Sequence, residues 1–170
     1  ETWSGAFGSH KYLKSVTFAD GVKFIPSSAF SGCTGLTELN FNNSLTEIGR
    51  AAFSGCTGLS ELSFNEGLVS IKQSAFEGCD ALSMVTLPSS LQLLESSVFK
   101  YCDNLQPFVI NGSELSFSDC LPEHHTELVF GKDITKLSVE SVGKNIKKVR
   151  FEDGAICQEI TGSGFYSNKY

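Results

Sequence analysis

The chain is short of charge and of long apolar runs. Only 19% of its 170 residues are Asp, Glu, Lys or Arg, and the balance is acidic, with a net charge of -6. A chain this poor in Lys and Arg lacks the dense cationic face that nucleic acid rewards, and the same balance opposes docking on anionic membranes. No apolar stretch approaches the roughly 20 residues needed to cross a bilayer, so membrane insertion by this segment is not expected. No signal peptide is visible and residue 1 is Glu rather than Met, which reads as a mature or excised segment. No P-loop or GxGxxG follows a strand pattern. No CxxC pair is present and no His lies at tetrahedral spacing from a Cys. The His124-His125 pair reads as a loop, with His125 on an apolar slot. The serines recur as turn chemistry with no base in a recognisable motif. No catalytic residue, metal ligand or cofactor site is expected, and the chain reads as non-enzymatic.

What is present is a phrase with a 23-residue period. Ala29, Phe30, Cys33 and Leu36 return as Ala52, Phe53, Cys56 and Leu59, then as Ala75, Phe76, Cys79 and Leu82, then as Val98, Phe99, Cys102 and Leu105. A fixed period of this length means a solenoid, in which each coil buries its apolar face only against its neighbours. The rings of Phe7, Phe30, Phe53, Phe76 and Phe99 should therefore stack in one column. Cys33, Cys56, Cys79 and Cys102 occupy an apolar slot in every coil. They read as small buried thiols, because side chains in register point the same way and do not bridge without distortion.

Leu36-x-x-Leu39-x-Phe41 has the alternation of a short strand, with counterparts beginning at Leu13, Leu59, Leu82 and Leu105. Turn residues follow each strand, then inward apolar pairs such as Leu45 with Ile48 and Leu68 with Ile71. Ala29, Phe30 and Cys33 then fit one side of a short helical turn. Ser28, Ser74 and Ser97 stand where caps would, and Gly32, Gly55 and Gly78 where a left-handed residue would end the turn. Beyond Ile110 the phrase loosens, yet Leu128-x-Phe130 and Val149-x-Phe151 predict two further strands. The tail, with Ile156, Ile160, Phe165 and Tyr170, is expected to wrap the open end. A single domain over residues 1–170 follows, regular to residue 110 and degenerate from 111, with a C-terminal cap.

Leu82-x-x-Val85-x-Leu87-Pro88-Ser89-Ser90-Leu91, together with Ile48-Gly49 and the four Phe-x-x-Cys phrases, resembles the BspA-type leucine-rich repeat over residues 2–110. The resemblance implies an α/β repeat solenoid. It would have a parallel concave β-sheet of about seven short strands, with short helical turns or loops on the convex side. It also implies a surface or secreted setting, extracellular or at the cell surface, and adhesion to host proteins or other cells. The Asn of the general leucine-rich pattern is replaced at its usual place by Gly21, Ser44, Gly67 and Ser90, so the carbonyls it would satisfy need other partners.

Strand alternation sends the residues between core positions outward. The candidate partner-binding residues are Glu38, Asn40, Asn42, Glu61, Ser63, Asn65, Met84, Thr86, Val109 and Val129. The acidic and amide members offer hydrogen bonds, and Met84, Pro107, Val109 and Val129 form an apolar zone. The expected partner is a protein or glycan, with host matrix or cell-surface molecules as candidates. The alternative is a structural spacer in a larger surface protein with no binding site of its own. Asn42-Asn43-Ser44 and Asn111-Gly112-Ser113 have the form of glycosylation sequons.

Overall fold

The computed structural model describes residues 3–164. A front column holds seven short strands: β1 (Ser15–Thr17), β3 (Glu38–Asn40), β5 (Glu61–Ser63), β7 (Met84–Thr86), β9 (Val109–Ile110), β11 (Glu127–Phe130) and β13 (Lys148–Phe151). These are the strands that the Leu-x-x-Leu-x-Phe spacing predicts. A second column alternates with it along the chain: β2 (Phe24–Ile25), β4 (Glu47–Ile48), β6 (Ser70–Ile71), β8 (Leu93–Leu94), β10 (Glu114–Phe117), β12 (Lys136–Val139) and β14 (Glu159–Thr161). Every pairing is parallel, and neighbours in a ladder belong to successive coils. The molecule is thus a parallel solenoid, each coil consisting of a front strand, a second strand and a closing third side.

The second column is one continuous sheet in the order β2-β4-β6-β8-β10-β12-β14, whereas the front column falls into three ladders, β1-β3, β5-β7 and β9-β11-β13. Pro107 accounts for the break after β7. It has no N–H to give to the ladder, and the last bond there runs from Gln106 N to Ser83 O at 3.1 Å. No residue of this kind explains the break between β3 and β5.

The third side corrects the expectation of short helical turns, since no helix occurs among the described residues. Its amides alternate between two jobs. Ala29, Ser31 and Cys33 donate to carbonyls three residues back in their own coil. Ser28, Phe30 and Gly32 donate instead to Arg50, Ala52 and Ser54 of the next coil, at 2.7–2.8 Å. Left-handed residues produce the alternation: Ser28 has φ 57° and Gly32 φ 74°. Ala51 and Gly55, Ser74 and Gly78, and Ser97 and Tyr101 repeat the pair. Ser28, Ser74 and Ser97 are therefore not helix caps. For a residue with a Cβ the left-handed region costs about 1–2 kcal/mol, and the inter-coil hydrogen bonds hold it there. The expected left-handed role of Gly32, Gly55 and Gly78 is observed.

Two aromatic columns fill the interior of the regular coils. Phe30, Phe53 and Phe76 stack at 5.3 Å between ring centroids, within 6° of parallel, and Phe7 and Phe99 extend the column at 5.2 and 5.9 Å. Phe18, Phe41 and Phe64 form a second column, which meets the first edge to face, as between Phe18 and Phe30 at 85°. Ala29, Ala52, Ala75 and Val98, all fully buried, leave room for the rings.

The Cys column has a hydrogen-bonding reason as well as a packing one. Each Phe carbonyl on the third side accepts the N–H of the Cys three residues on, as Phe30 O accepts Cys33 N at 3.2 Å. Its second lone pair takes the thiol of the next coil: Cys56 Sγ to Phe30 O at 3.2 Å, Cys79 Sγ to Phe53 O at 3.3 Å and Cys102 Sγ to Phe76 O at 3.1 Å. An alanine would leave that lone pair unmet, and a serine would present a more polar group to the core. All six cysteines are free, and only Cys157 is not fully enclosed. Burial pushes the thiols of Cys33 and Cys120 up, and that of Cys56 up to about 12. For Cys79 the bond with the Cys102 sulfur raises it first and burial second.

The C-terminal coils keep the architecture but lose the register. Front partners are 23 residues apart in Ser15 with Glu38, but Val109 pairs with Val129 and Glu127 with Lys148. The strands lengthen to four residues in β10, β11, β12 and β13. The expected wrap of the tail rests on four residues, of which the structure describes two. Ile160 lies in β14, which extends the second sheet beside β12, and Ile156 and Ile160 are exposed. Phe165 and Tyr170 fall outside the described residues.

Replacing Phe53 by Ala opens a cavity between two intact coils and should cost about 3–5 kcal/mol in a denaturant titration. A loss no larger than that of a surface substitution contradicts the column. Maleimide applied to the native chain should modify one thiol, Cys157, and all six after unfolding. Rapid native labelling at Cys56 or Cys79 contradicts the enclosed thiol ladder.

Candidate binding surface

The front face sorts the candidate residues into two groups. Glu38 and Asn40 stand on β3, Glu61 and Ser63 on β5, and Met84 and Thr86 on β7, all six exposed. Register places Glu61 beside Met84 and Ser63 beside Thr86. With Thr37, Leu39 and Leu62 they line a groove of about 400 Å³ that runs across the break between β3 and β5. Asn40 Nδ2 donates to Glu38 Oε1 at 2.8 Å and fixes the orientation of that carboxylate. Neither Glu38 nor Glu61 has a salt-bridge partner among the described residues. Met84 is 57% exposed and supplies a flexible apolar surface beside them.

The other candidates do different work. Asn42 is buried, its Nδ2 donating to Ala19 O at 2.7 Å and Val22 O at 3.1 Å, while its Oδ1 accepts Ser44 N at 2.6 Å. Asn65 Nδ2 donates to Phe41 O at 2.7 Å and Asn111 Nδ2 to Leu87 O at 3.3 Å. These asparagines follow the last apolar residue of the strand directly, and they satisfy the inter-coil carbonyls that the sequence pattern left open. Asn42 is therefore a structural amide, Asn65 commits one N–H to Phe41 O while staying exposed, and the sequon amides of Asn42 and Asn111 are already engaged.

Val129 corrects the expected apolar zone. It is only 6% exposed, set in register between Val109, itself half-buried, and Arg150. Arg150 Nε reaches back to Glu127 at 2.9 Å, and Lys148 Nζ joins it at 3.2 Å. Lys148, with Arg150 after it, holds the Glu127 carboxyl below the usual carboxylate range. The exposed apolar surface near the groove shrinks to Met84 and Pro107. Spacing alone did not reveal Thr37, Leu39 and Leu62 as groove residues, because Leu39 and Leu62 are inward positions: Leu39 is half-buried at the break and Leu62 stays buried beneath the groove.

The described residues hold no group of three or more His, Cys, Asp and Glu that could bind a metal ion. Among them no helix is long and apolar enough to cross a membrane.

Parallel coils with a short front strand and an inward Leu-Phe-Cys lattice define a leucine-rich-repeat solenoid. The chain belongs to the BspA type leucine-rich repeat region family, whose pattern matches residues 3–128 in six copies. No curated protein matches it. Among solved structures it is similar to a leucine-rich repeat protein from Bacteroides ovatus, at 20% identity over 97% of this chain with a TM-score of 0.60. The chain spans 61% of that protein's length. It is also similar to a leucine-rich repeat protein of T. pallidum, at 27% identity over 87% of this chain and 72% of that one, with a TM-score of 0.58. At these identities the likeness to the Bacteroides protein is one of fold.

Replacing Asn42 by Ala strands Val22 O and Ser44 N–H, leaves Ala19 O with only the Val22 N–H, and should lower stability by about 1–3 kcal/mol, read from thermal or denaturant melts. Unchanged stability contradicts the structural role given to this amide.

Proposed function

We propose that this chain is a non-enzymatic recognition and adhesion module of a surface or secreted protein. It takes a protein or glycan partner on the concave front face, with host matrix and cell-surface molecules as candidate ligands. The observation that supports this reading is the groove itself: six outward residues of three neighbouring strands converge where the front sheet parts. Met84 gives an anchor that can lose water, while Glu38, Asn40, Glu61, Ser63 and Thr86 give a polar rim. A repeat surface of this kind recognises by area and shape, so the contact extends beyond the groove to reach the roughly 800 Å² per partner of a stable interface. Its position on rigid strands means that little ordering accompanies binding.

The test is a binding screen of the chain against immobilised matrix proteins, cell-surface proteins and glycans. Met84→Ala and Glu61→Ala should each weaken capture of a ligand found this way about fivefold or more while leaving the melting temperature unchanged. Full binding by both variants moves the site elsewhere, and no ligand at micromolar concentration favours the spacer reading.

A further inference from the structure

With the coils numbered by their front strands, so that β1 opens coil 1, β9 coil 5 and β13 coil 7, the third side fails in coil 5. The amide ladder from coil 4 makes its last two bonds there, Ser97 N to Asp119 O and Phe99 N to Cys120 O. Leu121 stands where a phenylalanine would continue the column, and no cysteine follows it before the next strand. The shorter turn leaves a cavity of about 280 Å³ between the third sides of coils 4 and 6. His125 lies against this cavity. It occupies the slot filled by Leu36, Leu59, Leu82 and Leu105 in the regular coils, and it is only 4% exposed.

The imidazole fits this apolar slot only in its neutral form. Its Nε2 lies 2.9 Å from Leu105 O, and since a carbonyl only accepts, Nε2 carries the proton. The ring meets Phe108 at 6.4 Å and 64°. Next to it His124 also places Nε2 3.0 Å from Leu105 O, with the two rings 4.6 Å apart. A second proton on His125 would therefore put a cation in an enclosed site beside another imidazole. Among the described residues the titratable groups around it offer no direct counter-ion. Lys100 and Lys144 line the cavity as cations, and Glu123 is engaged by Lys144 at 3.5 Å. Burial raises the Asp119 carboxyl above its usual range. Neither carboxylate contacts the His125 ring.

We propose that His125 is an acid-labile joint: on acidification coils 5 to 7 loosen, while coils 1 to 4 keep their stacking. The C-terminal part of the solenoid is then the part that responds to an acidic compartment.

The direction follows from linkage. Burial first, and the neighbouring His124 after the opposing Leu105 bond, hold His125 below the ordinary histidine value in the folded chain. Its contribution to stability is complete above the unfolded value of about 6.5 and is lost as pH falls toward the lowered folded value. Asp119 works with the opposite sign. Its folded form favours the proton, so acidification stabilises through it. A loss between about pH 7.5 and pH 5 therefore does not come from Asp119.

The experiment is hydrogen exchange on the full chain at these two pH values, corrected for intrinsic rates, with an NMR titration of the imidazoles. In the wild type, peptides from residues 106–161 should lose protection by about three- to tenfold more than peptides from residues 15–102. His125→Leu, which restores the residue of the regular coils, should abolish that difference, and His124→Gln should retain it. The His125 ring should titrate below the ordinary histidine range. Equal loosening in His125→Leu, or a His125 ring titrating at or above the ordinary range, overturns the proposal. If the leucine variant does not fold, the wild-type ring titration decides alone.

Discussion

Phe53 lies between Phe30 and Phe76, 5.3 Å from each, and its own N–H reaches forward to Ala75 O in the next coil. That single residue shows the constraint under which the whole chain is built. A coil of about 23 residues cannot enclose a core, so each ring, thiol and leucine is covered only when the coils above and below present the same residues at the same place. Stacked rings add roughly 0.5–1.5 kcal/mol per pair beyond the area they bury, and the amide ladder on the third side fixes the register in which they meet. The left-handed residues are the cost of that ladder. They turn alternate amides out of the local turn and toward the neighbouring coil.

The same constraint explains where the molecule departs from regularity. The amide ladder ends at Cys120, and the aromatic column ends at Phe99. Beyond them the work passes to longer strands and to a different aromatic set, in which Phe130 contacts Phe117 at 85° and Phe151 at 32°. The proposed histidine joint sits at this change of packing. On the front face the groove marks a second departure, where β3 and β5 belong to separate ladders while the second sheet and the third side remain continuous behind them. Exposed carboxylates, an amide and a methionine thus converge on strands backed by a continuous second sheet and third side.

Much of the fold was legible in the sequence because burial is periodic. Phe30, Cys33 and Leu36 recur unchanged enough to fix the interior, and even Val149 and Phe151 kept the spacing that marks a front strand. The second sheet was hidden because its early strands, such as Glu47–Ile48, are two residues long and show no alternation. The left-handed positions were half visible. Glycine announces Gly32 and Gly55, but Ala51 and Tyr101 adopt the same geometry only because the neighbouring coil demands it. Outward exposure was legible at Glu38, Glu61 and Met84, where strand alternation decides it. It was misread at Asn42 and Val129, where contacts between coils decide it instead. No single repeat carries that information.

Site-resolved amide exchange in the native chain tests the central claim most directly. If the third side is a ladder between coils, the amides of Phe30, Gly32, Phe53, Gly55, Phe76 and Gly78 should be among the slowest to exchange, as slow as those within the second sheet. Exchange at these six positions as fast as in exposed turns would contradict the stacking on which the fold and the front groove both rest.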